Sequence, residues 1–243
     1  MTPNKTGFEK WRDGISAAVS DERWDAWDCE IQTAVNEYHS HLSTSEGYRR
    51  LDWKIIKAML WVETGAADSE WKSKPMQIGV AGDPGLRSFL SGDEGGDLIL
   101  PPNLEGRLNM GSARGIPEYN IRADIGYLLM RMAYFDYRSV PHSDPTVHEV
   151  VVKGGDSFDK IAKVHGTTLA VLRELNPAVD VLRPGQSLKF HRASIRRVIT
   201  GWRRVSSASI AQRYNGGGDP NYEKKLDFAL TLVREKADSL CAR

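Results

Sequence analysis

Apolar residues recur three and four positions apart through most of this chain, and that spacing commits it to helices. Phe8, Trp11, Ile15 and Val19 form one such series, and Trp24, Trp27, Ile31 and Val35 form the next. A third series runs from Leu51 to Val62 and places Ile56, Met59, Leu60 and Glu63 on one stripe, because steps of three and four return to the same side of an α-helix. Gly65 is its stop signal. Asn120 is the predicted N-cap of a further helix with Ile121, Ile125, Leu128, Leu129, Met132 and Phe135 on its core face. The same spacing predicts helix from Ile195 to Arg213, with Ile195, Val198, Ile199 and Trp202 turned inward, and again around Leu226, Leu230 and Val233.

Two stretches break the pattern. Between Glu70 and Tyr119, glycines and prolines crowd out any period, and so long a loop inside a compact domain usually carries function. From Val147 the style changes altogether. HEVVV reads as a short strand, GGDSF as a turn into a helix holding Phe158 and Ile161, and Thr168 as the cap of a second helix that Asn176-Pro177 ends; SLKF is a closing strand. A small strand–helix–helix–strand unit is expected there.

Composition excludes several alternatives. With 40% hydrophobic residues and 33 Lys+Arg against 32 Asp+Glu, a buried core is expected and disorder is not. No apolar run reaches the ~18 residues of a membrane span. The opening MTPNKTGFEKWRD lacks the apolar segment of a secretory signal, so synthesis in the cytoplasm without a signal peptide is expected. Residues 191–204 hold five arginines and no acid, but these read as the solvated face of a helix, so neither nucleic acid nor membrane insertion is expected. Cys29 and Cys241 are expected as free thiols, with one bridge joining the two ends as the alternative. His39 and His41 point to different helix faces, the Asp93, Glu94 and Asp97 cluster reads as a solvated turn, and neither HExxH nor CxxC occurs, so no metal or other cofactor is expected.

VVVKGGDSFDKIAKVHGTT, LAVLRELNP and LRPGQSLKF together resemble a LysM module almost position by position. The resemblance implies a βααβ fold that binds N-acetylglucosamine-containing glycans, peptidoglycan or chitin, through loops that here are Gly155-Asp156-Ser157-Phe158 and Asn176-Pro177-Ala178-Val179. The flanking helical segments resemble the lysozyme-like lytic transglycosylases through four matches in that family's order. IIKAMLWVETG is similar to the helix that ends in the catalytic glutamate, KPMQIG to the Gly-Leu-Met-Gln segment, NIRADIGYLLMRM to the Asn-Ile helix, and IAQRYNGGGDPNY to the Tyr-Asn-Gly segment. The interval from Glu63 to Gln77 is shorter than that family's usual spacing.

The expected fold class is therefore mainly α: a lysozyme-like helical domain over 1–146 and 193–243, with a helical extension over 1–44, interrupted by a LysM insert over 147–192. The resemblance implies cleavage of the MurNAc–GlcNAc linkage of peptidoglycan, with Glu63 as general acid, since the leaving oxygen needs a proton and an acid at the edge of a core keeps one near neutral pH. Asp83 is the candidate second carboxylate, although Asp-Pro-Gly also reads as a plain turn. The resemblance further implies that Tyr214 approaches the glutamate. Met76, Gln77 and Asn215 are the expected substrate contacts in the cleft, and Gly155, Asp156, Ser157, Asn176 and Pro177 those in the glycan-binding loops. A lytic transglycosylase exported as an antibacterial effector is the leading expectation, acting in the periplasm or cell wall of a target bacterium. Its further partners would be an immunity or inhibitor protein and a secretion apparatus. A hydrolytic muramidase, a phage-type lysin and an inactive peptidoglycan- or chitin-binding module are the alternatives.

Overall fold

The computed structural model describes residues 5–236 and residue 241. Among the described residues it holds eleven α-helices and four strands, and contacts divide the chain into two units. One takes the chain up to Tyr134 and from Ile199 onward; the other is Phe135–Val198.

The first unit is helical, and its local starts are written in side chains that satisfy free backbone amides. Helix α1 (Gly7–Ser16) opens on a capping box between Thr6 and Glu9, and α2 (Asp28–Leu42) follows after two 3-10 turns. Helix α3 (Trp53–Glu63) is capped by Asp52, which accepts from the Lys54 amide. It buries Ile56, Ala58, Met59, Leu60 and Trp61, and two residues past its end stands Gly65, whose backbone is left-handed. Space as well as conformation demands glycine there, because a Cβ would lie 2.5 Å from the Trp24 ring. Lys57 is buried as well, and two carboxylates compensate it, Asp25 at 2.6 Å and Asp28 at 2.7 Å.

Short helices α4 (Gly85–Ser91), α5 (Gly96–Ile99) and α6 (Met110–Gly115) cross the glycine-rich stretch and lead into α7 (Pro117–Met132). Eleven of the sixteen residues of α7 are buried, so it is a central helix and not a one-faced one. At Gly126 an added Cβ would fall 2.2 Å from Phe89 and 2.5 Å from the Tyr38 hydroxyl, which is how closely α2 and α4 approach it. The chain returns through α10 (Ser207–Arg213) and α11 (Tyr222–Glu235), and α11 packs chiefly on α3.

The second unit has its own small core. Strands β2 (His148–Val151) and β3 (Ser187–Phe190) pair antiparallel with Val150 opposite Leu188. Helices α8 (Phe158–His165) and α9 (Leu169–Leu175) pack on them around Val152, Ile161, Leu172, Leu188 and Phe190. Strands β1 (Ala133–Pro141) and β4 (Ala193–Trp202) pair with each other, and the division between units falls within this ribbon.

Several expectations are corrected. The stretch read as a helix from Ile195 is β4 up to Trp202, and Phe135, assigned to the core face of a helix, lies in β1. The β-branched run Ile195, Val198, Ile199 and Thr200 fits either period until a partner is present, and β1 supplies it. Two of the arginines read as a solvated helix face are engaged on the ribbon: Arg203 donates to the Ala133 carbonyl at 2.6 Å with its guanidinium 3.9 Å from the Tyr134 ring, and Arg197 donates to the Tyr137 hydroxyl. Asn120 caps nothing, since α7 starts at Pro117 and Asn120 is buried within it. Cys29 and Cys241 are not free thiols but form a disulfide across a sequence separation of 212.

A crosslink that closes so long a loop restricts the unfolded chain strongly, and by loop entropy it contributes about 5 kcal/mol. Replacing both cysteines (C29S/C241S) is expected to lower the urea midpoint by a corresponding amount. Reductant should shift the wild type alone, and a wild-type midpoint indifferent to reductant would contradict this.

Candidate active site

Glu63 is the last residue of α3, half-buried where that helix stops. Its Oε1 accepts the Tyr222 hydroxyl at 2.7 Å, since the packing of α11 on α3 brings that phenol to the helix end. Burial raises its pKa from the ordinary 4.5 to about 7. The Tyr222 hydrogen bond opposes the shift, Asp83 and Asp219 add to it, and Lys225 works against it. Lys225 is itself paired with Asp219 at 2.7 Å, so much of its charge is already answered. Desolvation therefore wins, and Glu63 holds a proton to near neutrality.

Glu63, Met76, Gln77, Asp83, Tyr214 and Asn215 line one cavity of about 390 Å³. The joint between them is the buried Asn120. Its Oδ1 accepts the Met76 amide at 2.9 Å, and its Nδ2 donates to the carbonyls of Ile78 (3.0 Å) and Ala113 (2.9 Å). Met76 is buried under the cavity. Gln77, held between two pinned neighbours, takes the left-handed conformation at φ 57, the one non-glycine residue among those described to do so. Its amide nitrogen donates to Glu70 Oε2 at 2.8 Å and to the Lys74 carbonyl at 3.3 Å.

Asp83 stands in the cavity wall with both oxygens occupied: Oδ2 accepts the Gly79 amide and Oδ1 the Gly85 amide, each at 2.7 Å. Its carboxylate closes the loop ahead of α4. Asn215, in the amide orientation that satisfies its neighbours, accepts from the Asp219 amide at 2.9 Å and the Gly218 amide at 3.2 Å, which shapes the glycine turn after α10.

Tyr214 lines the same cavity as Glu63, but the two are not joined by a hydrogen bond among the described residues. The Tyr214 hydroxyl donates to Asp124 Oδ1 at 2.6 Å, and the phenol on Glu63 is Tyr222. Tyr222 lies eight residues further along, at the end of the IAQRYNGGGDPNY segment, but nothing in its spacing distinguishes it from any other helix-start aromatic. Asp124 was also missed, although its position four residues after Asn120 puts both on one face of α7.

In the second unit, Gly155 turns with a positive φ, Asp156 Oδ2 accepts the Lys153 amide at 2.8 Å, and Ser157 caps α8. Asn176 ties the end of α9 to β3. Its Nδ2 donates to the carbonyls of Leu172 and Lys189, and its Oδ1 accepts from the Lys189 amide. Pro177 follows in the same turn. The polar side chains of these two loops are thus engaged with backbone groups of the same unit, which shapes the loops.

Residues 150–190 match the family model of the LysM domain, a peptidoglycan-binding module. No curated protein and no solved structure matches the chain significantly. The helical unit thus rests on its own geometry.

Because the folded state keeps the Glu63 proton after the unfolded chain has lost it, stability is undiminished below about pH 4.5, falls between 4.5 and 7, and stays reduced above. The cost above pH 7 is about 3 kcal/mol. Glu63→Gln removes it, so the variant is expected to unfold at higher urea than wild type at pH 8 and to match it at pH 4. Equal midpoints at both pH values would mean that the carboxyl is solvated.

Proposed function

We propose that this protein binds peptidoglycan through its LysM domain and cleaves the glycan strand in its helical unit, as a lytic transglycosylase with Glu63 as general acid. The observation that carries the reading is a glutamate on the wall of a cavity, at the end of an apolar helix, where burial raises its pKa to about 7. Tyr222 donates to Oε1, so the acidic proton resides on Oε2. Passing that proton to the glycosidic oxygen lets the C1–O bond break.

The cation left at C1 then needs a nucleophile. Asp83 accepts two backbone amides that fix it in the loop ahead of α4, and Asp124 is buried behind Tyr214, so neither carboxyl is set aside for a second catalytic role. This supports substrate assistance. The 2-acetamido carbonyl of the muramic acid stabilises C1, its 6-hydroxyl then adds there, and the hydroxyl proton returns to the Glu63 carboxylate. The product carries a 1,6-anhydro end, and the acid is regenerated. Action outside the cytoplasm, on the bacterial cell wall, fits the disulfide, because such bonds persist in oxidising compartments.

Purified sacculi incubated with the protein, followed by mass spectrometry of the soluble fragments, test this directly. Anhydro-ended fragments, one water lighter than reducing ends, are expected. Glu63→Gln should release at least ~100-fold less while still pelleting with sacculi. Reducing ends would make the enzyme a muramidase. A wild type that pellets but releases nothing would leave a binding protein alone.

A further inference from the structure

Asp124 is a buried acid that the proton transfer at Glu63 leaves unused. It is 0% exposed, one turn after Asn120 on α7, and its Oδ1 accepts the Tyr214 hydroxyl at 2.6 Å. Its Oδ2 has no hydrogen-bond partner among the described residues. A carboxylate with one oxygen left dry is costly, whereas a neutral carboxylic acid or an amide is far cheaper there. Burial pushes its pKa well above the carboxylate range, and Glu63 and Asp83 push the same way while the Tyr214 hydrogen bond opposes. A leucine would avoid the cost altogether, so packing does not account for the acid.

Two phenols converge on this corner. The rings of Tyr214 and Tyr222 lie 6.3 Å apart, Tyr222 already donates to Glu63, and Tyr214 lines the same cavity and is electrostatically coupled to Glu63. Each phenol that donates to a carboxylate favours its ionised form, so a second donor would strip the acid of the proton it must deliver. We propose that Asp124 is a positioning residue for Glu63: by accepting the Tyr214 hydroxyl it keeps that hydroxyl off the glutamate, which retains Tyr222 as its sole phenolic donor. The catalytic meaning rests on Glu63 being the acid of the cleavage reaction, but the hydrogen-bond assignment does not. The other titratable groups around the pair are Asp83 ahead of α4, Asp219 and Lys225 at α11, Tyr127 on α7 and Tyr38 on α2. All of them stay in place in the variants below.

The test is an NMR titration of the Glu63 side-chain carboxyl in the full-length protein labelled with 13C-glutamate, the signal assigned by its loss in Glu63→Gln. Asp124→Val removes the acceptor and frees the Tyr214 hydroxyl. The Glu63 midpoint is expected to fall by about one pH unit, so that cleavage falls about ninefold at pH 8 and only about twofold at pH 6. Asp124→Asn keeps a carbonyl acceptor and should keep the wild-type midpoint, and Tyr214→Phe added to Asp124→Val should restore it. Should Asp124→Val not fold, Tyr214→Phe alone decides: an unchanged Glu63 midpoint supports the proposal, and a raised one means that Tyr214 donates to Glu63 and overturns it. An Asp124→Asn shift as large as that of Asp124→Val overturns it too, as does an Asp124→Val protein with an unmoved Glu63. The titration needs no substrate, so absent cleavage counts only against the enzymatic reading.

Discussion

The cavity at Glu63 is tied on two sides to α7, a helix so nearly surrounded that its polar side chains have no water to fall back on. Asn120 answers three backbone groups of the segments that carry Met76, Gln77 and Ile78 on one side and Ala113 on the other. One turn along, Asp124 reaches Tyr214 beyond α10. A buried amide that makes three hydrogen bonds is worth far more broken than made, because each orphaned partner would bear its full desolvation cost of about 1–3 kcal/mol. That asymmetry fixes the floor of the cavity and leaves Gln77 in a backbone conformation that side chains ordinarily avoid.

Against that rigid floor the electrostatics become directional. Glu63, Asp83, Asp124 and Asp219 gather at one end of the unit, with Lys225 as the cation that acts on Glu63. Solvated, such a group would ionise together and repel. Here burial withholds the proton loss at Glu63 and Asp124, while Asp83 is satisfied by two amides and Asp219 by Lys225. Unlike environments thus push Glu63 and Asp219 toward different protonation states.

The LysM unit follows a different logic. Its core is built from its own two helices and two strands, and its loop side chains spend their hydrogen bonds at home. Such a self-sufficient module can stand within another domain, because the chain leaves and re-enters through the paired strands β1 and β4.

Much of this was legible before any fold was known. The three-and-four spacing of Ile56, Met59 and Leu60 set the stripe that ends in Glu63, and the strand, cap and turn signals of residues 147–190 delimited the LysM module, because these are local properties carried by neighbours in the chain. What only the tertiary structure decided depends on residues far apart. Residues 193–202 became a strand because β1 was there to pair with them; Cys29 met Cys241 across almost the whole chain; Tyr222, and not Tyr214, took the glutamate because α11 packs on α3. Periodicity says which face of an element is dry, but which polar groups meet inside is settled by packing, where an unpaired donor or acceptor is too costly to leave alone.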